Sequence, residues 1–378
     1  MSGKILFLTT AHHYNDDRIF FHQAKELKAQ GYKVKICSLS SDYKGFIDGI
    51  EIESYSVLNQ TVKQKIEIFR NICNSYEPNI IICSEPLAVI GAKKYRKKKI
   101  AIIYDITEWY PSMRMVQNYN SVFKIVHAFK FALINLYAGF LSTQFIFGEH
   151  SKKFPLAYLF PFKKKLLLPY FPDDIYISKS IKKLEDNKFT VCYTGQISKE
   201  KGIENFFNAV DRLRQKKPQL QISILIVGST QNKTNELYFS NLLKKFSWED
   251  ISIFKPSSFE EFSKSYAKAD VCFDLRDSSF ENNNCLPIKL FYYIAAGKPV
   301  IYTNLKAIRE YIDVSKFGYL VDPENSDMIS DVLSNYLEHP ETYDIHANNA
   351  RKEFEKKYNW GIIRNSFLNF ITQFIYKN

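Results

Sequence analysis

The chain has 378 residues, 46% hydrophobic and 24% charged. That length exceeds one ordinary hydrophobic core and predicts two domains, and the composition excludes wholesale disorder. Thirteen Gly and thirteen Pro exclude a collagenous or Pro-rich chain, and 31 Phe and 25 Tyr accompany abundant Lys, Asn and Ile, as AT-rich coding sequence produces. The charge of +12 is uneven: residues 1–180 hold 25 Lys and Arg against 15 Asp and Glu, a net of +10, and the remainder holds +2. A basic half suits nucleic acid, an anionic membrane or a phosphorylated substrate, or is a solvated lysine-rich surface.

The N-terminal half alternates strand and helix. Lys4–Thr10 reads as a strand, Arg18–Gln30 as a helix stopped by Gly31, and Lys33–Ser40 and Glu51–Val57 as strands. Helical spacing follows at Lys63–Tyr76, a buried-strand run at Asn79–Ser84, a helix at Leu87–Tyr95 and a strand at Ala101–Ile106. A long helix is expected over Val122–Leu141, then a strand at Gln144–Phe147. The apolar stretch Phe131–Phe147 contains Asn135 and Gln144 and falls short of the ~18 uninterrupted apolar residues of a spanning helix. A break at Pro161–Asn187 predicts a linker. Strands resume at Phe189–Thr194, Gln221–Val227, Ile251–Phe254, Val271–Leu275 and Val300–Thr303, separated by helices that include Ile203–Gln215 and Glu236–Phe246. Helices close the chain at Met328–Glu338, Glu341–Tyr358 and Ile362–Tyr376. Near-continuous apolar strands alternating with helices predict α/β domains with parallel sheets covered on both faces. Ligands then lie beyond the carboxyl ends of strands, which directs attention to the loops after Thr10, Asp105, Thr194, Val227 and Leu275.

Three features exclude other classes. The six Cys form no CxxC pair and read as reduced, buried thiols of a cytosolic protein. The N-terminus enters a strand directly, without a cleavable signal. No metal-ligand cluster, aromatic RNA-binding motif or helix-turn-helix emerges, so neither a metal nor nucleic acid is expected.

The strongest motif is Cys285–Val300, CLPIKLFYYIAAGKPV. Leu286 and Pro287 open a helix carrying Lys289 on its first turns, and Gly297 stops it. A polar loop before it supplies helix-capping residue types. Such a helix N-terminus beside a lysine suits a diphosphate. This stretch resembles the donor-site helix of retaining glycosyltransferases of family 4, often described as glycosyl transferases group 1, with the GT-B fold. Tyr193–Gly202, YTGQISKEKG, is similar to the family's strand-to-helix donor loop. There Gly195 permits a tight turn, Lys201 meets the phosphates, and Gly202 opens a helix whose amides face anions. His12-x-x-x-Asp16-x-Arg18-Ile19-Phe20 and Asp105-Ile-Thr-Glu-Trp-Tyr-Pro111 resemble N-terminal and acceptor-side segments of the family, as does Tyr358-Asn-Trp360 before a last amphipathic helix.

The resemblance covers essentially the whole chain. It implies two facing Rossmann-like domains with a cleft: an acceptor domain at 1–172, a linker at 173–187, a nucleotide-sugar domain at 188–357, and a helix at 358–378 packing back on the first. It implies donor contacts from Gly195, Lys201, Gly202, Gly228, Glu281, Asn284, Leu286, Pro287, Lys289 and Tyr292. Catalytic candidates are His12, Asp16 and Glu108, and acceptor candidates are Arg18, Trp109 and Tyr110. No cofactor is implied, the UDP- or GDP-linked sugar being a substrate. The expected reaction is glycosyl transfer with retention to a glycan or lipid-linked acceptor in cell-surface polysaccharide or glycoconjugate synthesis. A degenerate binding subunit and a nucleotide-sugar 2-epimerase are the alternatives.

The chain departs from the pattern at four places. Asn284 and Tyr292 stand where the family carries a Glu pair, with Glu281 a possible substitute for the first. Gln196 replaces an Arg, and Thr107 replaces a His. The charge split, the cluster Lys93, Lys94, Arg96, Lys97, Lys98 and Lys99, and the aromatic stretch Phe123–Phe140 suggest an anionic membrane partner. The expected location is cytoplasmic, peripheral on the inner face of the plasma membrane; the alternative is a buried helix and solvated lysines.

Overall fold

The computed structural model describes residues 3–117, 119–255 and 258–375. The chain divides into two compact units, Met1–Tyr170 with Ile363–Asn378, and Phe171–Ile362. Residues 376–378, at the end of the expected last helix, lie outside the described residues.

The first unit is built on an eight-stranded sheet. Its strands are β1 (Lys4–Thr9), β2 (Lys33–Ser38), β3 (Ser40–Ile47), β4 (Ile50–Ser56), β5 (Ile80–Cys83), β6 (Ala101–Ile106), β7 (Gln144–Phe147) and β8 (Lys165–Leu167). They lie in the order β3-β4-β2-β1-β5-β6-β7-β8, parallel throughout except for the β3–β4 hairpin. All four residues of β5 are buried, which is why it reads as an unbroken apolar run. The sequence pattern does not show β3, an edge strand in which every residue but Ser41 is half-buried or exposed. Its hairpin turns at Asp48–Gly49, both at positive φ, 51° and 72°. The three-residue β8 lies within the stretch expected to be linker.

Helix Val62–Tyr76 begins with a reciprocal Thr61–Gln64 capping box. It crosses helix Pro86–Ala92 where Gly91 has no side chain; a Cβ there would stand 2.7 Å from Phe69 Cβ. Helix Ser121–Leu141 is capped by Asn120, which accepts from the Phe123 amide at 3.1 Å. By length and composition alone, this helix could cross a membrane. It has 21 residues and a window of mean hydropathy 1.3. The stretch Phe131–Phe147 straddles the helix end at Leu141 and omits the apolar residues back to Val122.

The second unit has six parallel strands: β9 (Lys188–Gln196), β10 (Gln221–Ser229), β11 (Ile251–Phe254), β12 (Val271–Asp274), β13 (Val300–Thr303) and β14 (Gly318–Val321). Their order is β11-β10-β9-β12-β13-β14. The short β14 is also absent from the sequence pattern. Helices Ile203–Lys216, Lys233–Phe246, Ile288–Ala296, Ser326–Glu338 and Pro340–Lys357 surround the sheet. Lys298 is fully buried, and its Nζ donates to the carbonyls of Ser180, Ala267 and Ala269 at 2.5, 2.6 and 2.8 Å. The six cysteines are unbridged. Five are buried and Cys285 is half-buried.

In the first unit, Arg18 lies on a π-helical turn, Asp17–Ala24, and is 3% exposed. Its Nε and one Nη donate to the two Asp105 oxygens at 2.9 and 2.8 Å, and the other Nη donates to the Leu168 carbonyl at 2.8 Å. The guanidinium also stacks 4.6 Å from the Tyr170 ring centroid, and Gln23 donates to the same carboxylate at 2.8 Å. Arg18, expected at the acceptor, is thus committed inside the unit, joining three segments of it. Removing one member of a buried pair strands the other charge, which costs about 3–5 kcal/mol. Arg18→Met should lower the unfolding free energy by that amount in urea denaturation; a loss below about 1 kcal/mol would overturn the assignment.

Candidate functional site

Both sheets share one topological feature. From β1 the chain winds outward through β2 to β4, and from β5 it winds the opposite way through β6 to β7. In the second unit β9, β10 and β11 run one way and β12, β13 and β14 the other. The carboxyl ends of β1 and β5, and of β9 and β12, therefore flank a crevice that the crossover connections leave open.

In the first unit, the loop after β1 folds over Glu85, the residue that follows β5 and Ser84. Glu85 accepts from Thr9 Oγ1 at 3.0 Å and from the amides of Thr10 and Ala11 at 2.8 and 3.0 Å. His12 Nε2 is 3.8 Å from Glu85 Oε1, and His12 Nδ1 is 2.9 Å from Asp16 Oδ2. The other oxygen of Asp16 caps the next helix, accepting from the Arg18 and Ile19 amides at 3.0 and 3.1 Å. Ser38 and Ser40 hydroxyls hold the His12 carbonyl at 2.6 and 2.7 Å. Burial pulls the His12 pKa down, but the Asp16 hydrogen bond and the charges of Asp16, Glu85 and Glu108 outweigh it and raise it to about 10. Burial would raise Asp16, but its bond to His12 keeps it below its usual value. Glu85 is raised by burial, against the opposing effects of His12 and its donors.

Glu108 is exposed and close enough to act on His12 by charge. Trp109 and Tyr110 are half-buried. Burial, then the charges of Glu85 and Glu108, push the Tyr110 phenol up. The Thr107 carbonyl accepts from Lys152 Nζ, and Lys152 pairs with Glu149 at 2.5 Å. His12 and Asp16 are thus brought together with Glu85, which the sequence reading missed, and Glu108 acts by charge on the same imidazole. The signal for Glu85 was present: a carboxylate directly after the buried run Asn79–Ser84.

In the second unit, Gly195 and Gly228 are paired across β9 and β10. A Cβ on Gly228 would stand 2.0 Å from the Gly195 carbonyl oxygen, and one on Gly195, at φ +110°, 2.5 Å from Lys289 Nζ. Gly202, at φ +79°, leaves room for the Leu275 carbonyl, 1.9 Å from where its Cβ would be. Tyr193 supports the loop between, its hydroxyl donating to the Gln196 and Lys201 carbonyls at 2.7 and 3.2 Å.

Four charged groups converge at this edge. Asp274 at the end of β12 accepts from both Nε (2.7 Å) and an Nη of Arg276. Lys289 Nζ donates to the Thr194 carbonyl and lies 3.5 Å from Asp274. Lys201 pairs with Glu200 at 2.8 Å. Burial would raise Asp274, but Arg276, Lys289 and Lys201 hold it at about 2. Burial lowers Lys289; Asp274 opposes this, while the charges of Arg276 and Lys201 add to it. Three cations thus surround Asp274, with Glu200 the partner of one, leaving a positive surplus. Arg276 is a further residue the sequence reading missed, two positions past the strand end.

The remaining donor candidates occupy the loop and helix beyond. Pro287 is the N-cap of helix Ile288–Ala296 and is buried, with Leu286 half-buried before it. Glu281 lies on a short helical turn, Phe280–Asn283, and the Asn284 amide donates to the Phe280 carbonyl at 2.8 Å. Tyr292 is 7% exposed and faces the ring edges of Phe259 and Phe262, with centroids 5.9 and 5.7 Å away. It sits in the aromatic core of the helix layer, and its carbonyl accepts from Tyr266 at 3.0 Å. The described residues hold no group of three His, Cys, Asp or Glu side chains placed to share a metal ion.

The raised His12 pKa has a consequence for stability. The protonated ring contributes stability that is fully present below its unfolded value near 6.5 and is lost as pH rises through about 10. The stability gap between the wild-type chain and His12→Gln should therefore narrow between pH 6.5 and 10, and the imidazole should remain protonated at neutral pH by NMR. A His12 titrating near 6.5 would contradict this electrostatic picture.

Residues 175–353 match the family model described as glycosyl transferases group 1. A D-inositol 3-phosphate glycosyltransferase of Paenarthrobacter aurescens (strain TC1) is 22% identical over 166 residues, 44% of this chain. The match spans 39% of that curated relative's length. Sucrose-phosphate synthase from Thermosynechococcus elongatus aligns with a TM-score of 0.75 at 14% identity, over 98% of both chains. A glycosyltransferase from Rickettsia africae ESF-5 aligns at 0.74 and 14% identity, over 100% of both. Anabaena HepE in complex with UDP-glucose aligns at 0.71 and 13% identity, over 98% of this chain and 100% of that one. These likenesses establish the fold as GT-B, with two parallel-sheet α/β domains. The similarity to the group 1 glycosyl transferases thus lies in residues 175–353, within the second unit.

Proposed function

We propose that this chain transfers a glycosyl unit from a UDP- or GDP-linked sugar to a glycan or lipid-linked acceptor, with retention of configuration. The carrying observation is the gathering of Lys201, Arg276 and Lys289 around Asp274 at the glycine-lined switch point of the second unit. A nucleoside diphosphate brings the negative charge that this surplus lacks. HepE structures holding UDP and UDP-glucose on the same fold support the reading. Gly195, Gly202 and Gly228 keep the backbone clear for the diphosphate, and Glu281, Asn284, Leu286 and Pro287 form the loop that meets the sugar. Tyr292 supports that helix from its aromatic setting.

In the reaction, the bond between the anomeric carbon and the diphosphate oxygen breaks as the acceptor oxygen bonds to the same face. The acceptor's proton passes to the departing phosphate oxygen. Lys201, Lys289 and the helix amides stabilise the growing charge. The first unit receives the acceptor: His12, protonated and oriented by Asp16 and Glu85, is a hydrogen-bond donor and not a base, and Glu108, Trp109 and Tyr110 complete its surroundings. The packing of Tyr292 favours one second reading, a donor-binding subunit without turnover; release of diphosphate in the presence of an acceptor separates the two.

A charge-assisted contact is worth about 1.5–3 kcal/mol, so Lys201→Ala and Lys289→Ala should each weaken donor affinity at least about tenfold in calorimetry with UDP- and GDP-sugars. Wild-type affinity in both variants would refute the donor site. Because side-chain cations take the place a divalent ion has elsewhere, turnover should be unchanged by chelator. Activity lost to chelator and regained only with a metal ion would refute that.

A further inference from the structure

We propose that the outer face of helix Ser121–Leu141, with the basic turn at residues 93–99, is a docking surface for an anionic lipid bilayer, the helix lying in the plane of the interface. This deepens the reading of a lipid-linked acceptor but stands on first-unit observations alone.

The helix is apolar on both sides. Its inner side is fixed to the sheet: Asn135, Ala138, Gly139 and Leu141 are buried, and Asn135 accepts from the Tyr104 hydroxyl at 3.0 Å. Val122, Val126, Phe129, Leu133, Tyr137 and Phe140 recur at helical spacing on the other side and are 44–71% exposed. A surface helix ordinarily carries charged residues there. The patch continues beyond the helix. Gly139 is so close to Leu156 that a Cβ would stand 2.6 Å from its Cδ2, and beside Leu156 the side chains of Phe154, Tyr158, Leu159 and Phe162 are exposed, Phe162 almost completely. An apolar face of this extent marks an interaction site.

Charge identifies the occupant. The Arg96 guanidinium lies over the Phe140 ring at 4.7 Å, which makes the basic turn continuous with the apolar face. Lys163 Nζ donates to the Phe140 carbonyl at 3.1 Å at the same helix end. Lys93, Lys94, Arg96, Lys97, Lys98 and Lys99 are exposed. Residues 86–104 contain no Asp or Glu, and 109–172 contain one, Glu149, ion-paired to Lys152 and 4% exposed. Apolar side chains flanked by lysines, with tyrosines between, match the boundary between acyl chains and anionic headgroups. A second copy would set like charge against like. Crossing the bilayer would require withdrawing Asn135 from Tyr104 of the sheet and Gly139 from Leu156, so the helix lies flat.

The test is flotation of the full chain with phosphatidylcholine vesicles and with vesicles that also contain phosphatidylglycerol. Two variants accompany it: Val126→Ser, Phe129→Ser and Leu133→Ser together, and Lys93→Gln, Lys94→Gln, Arg96→Gln and Lys97→Gln together. The wild-type chain should bind the anionic vesicles, bind neutral ones weakly, and be released by salt. Each variant should lose at least about tenfold in partitioning. Both exchange exposed side chains, so their unfolding transitions and donor affinity should match wild type; that measurement also separates failure here from failure of the donor reading. Equal recovery on neutral and anionic vesicles, undiminished binding by either variant, or resistance to alkaline extraction would each overturn the proposal. A dimer that the triple Ser variant dissolves, without vesicle binding, would overturn it in favour of self-association.

Discussion

Where two neighbouring parallel strands send their crossovers in opposite directions, nothing in the sheet closes the space above their carboxyl ends. Each unit of this chain spends that opening on charge. In the first, a histidine is held between two carboxylates; in the second, one carboxylate lies among three cations. Such groups tolerate low-dielectric surroundings only when each is paired or hydrogen-bonded, so the loops above the strands are shaped by electrostatic need. The second site also depends on three missing side chains. Gly195, Gly202 and Gly228 each stand where a methyl group would collide with a carbonyl or with Lys289. The approach of backbone to backbone at this edge is therefore a property of composition as much as of topology.

How much of this could be read from sequence depended on how local the cause was. Lys289 and Gly195 belong to contiguous stretches in which strand, turn and helix follow one another, so their placement was legible. Glu85 was not, because its meaning comes from the pairing of β5 with β1, which sets it under a loop seventy-odd residues earlier. Arg276 escaped for a similar reason: its guanidinium turns back on Asp274, two residues before it, and only the neighbouring loop brings Lys201 to the same place. Strands β3 and β14 escaped because a half-exposed edge strand and a four-residue strand carry little apolar periodicity. Arg18 is the opposite case. It lies in a motif that resembles a functional one, yet its side chain is consumed by Asp105 and Leu168.

The departures from the family pattern also look different in three dimensions. Gln196 removes a cation after Gly195, but Arg276 brings a guanidinium to the neighbouring charge cluster from beyond β12, the strand paired with β9. Thr107 takes the place of a histidine in the loop after β6, while the protonated His12 already supplies an imidazolium at this edge of the first unit. Tyr292 is different, because its ring is built into the packing between helices.

The distribution of thiols has a practical consequence. Burial pushes Cys37, Cys73, Cys83 and Cys192 upward and away from the thiolate form, and Cys272 is fully enclosed. Cys285 alone is half-buried, one residue after Asn284 and four before Lys289. An environment-sensitive fluorophore introduced by alkylation would therefore report from a single address, on the loop leading into the lysine-bearing helix, without any engineered cysteine.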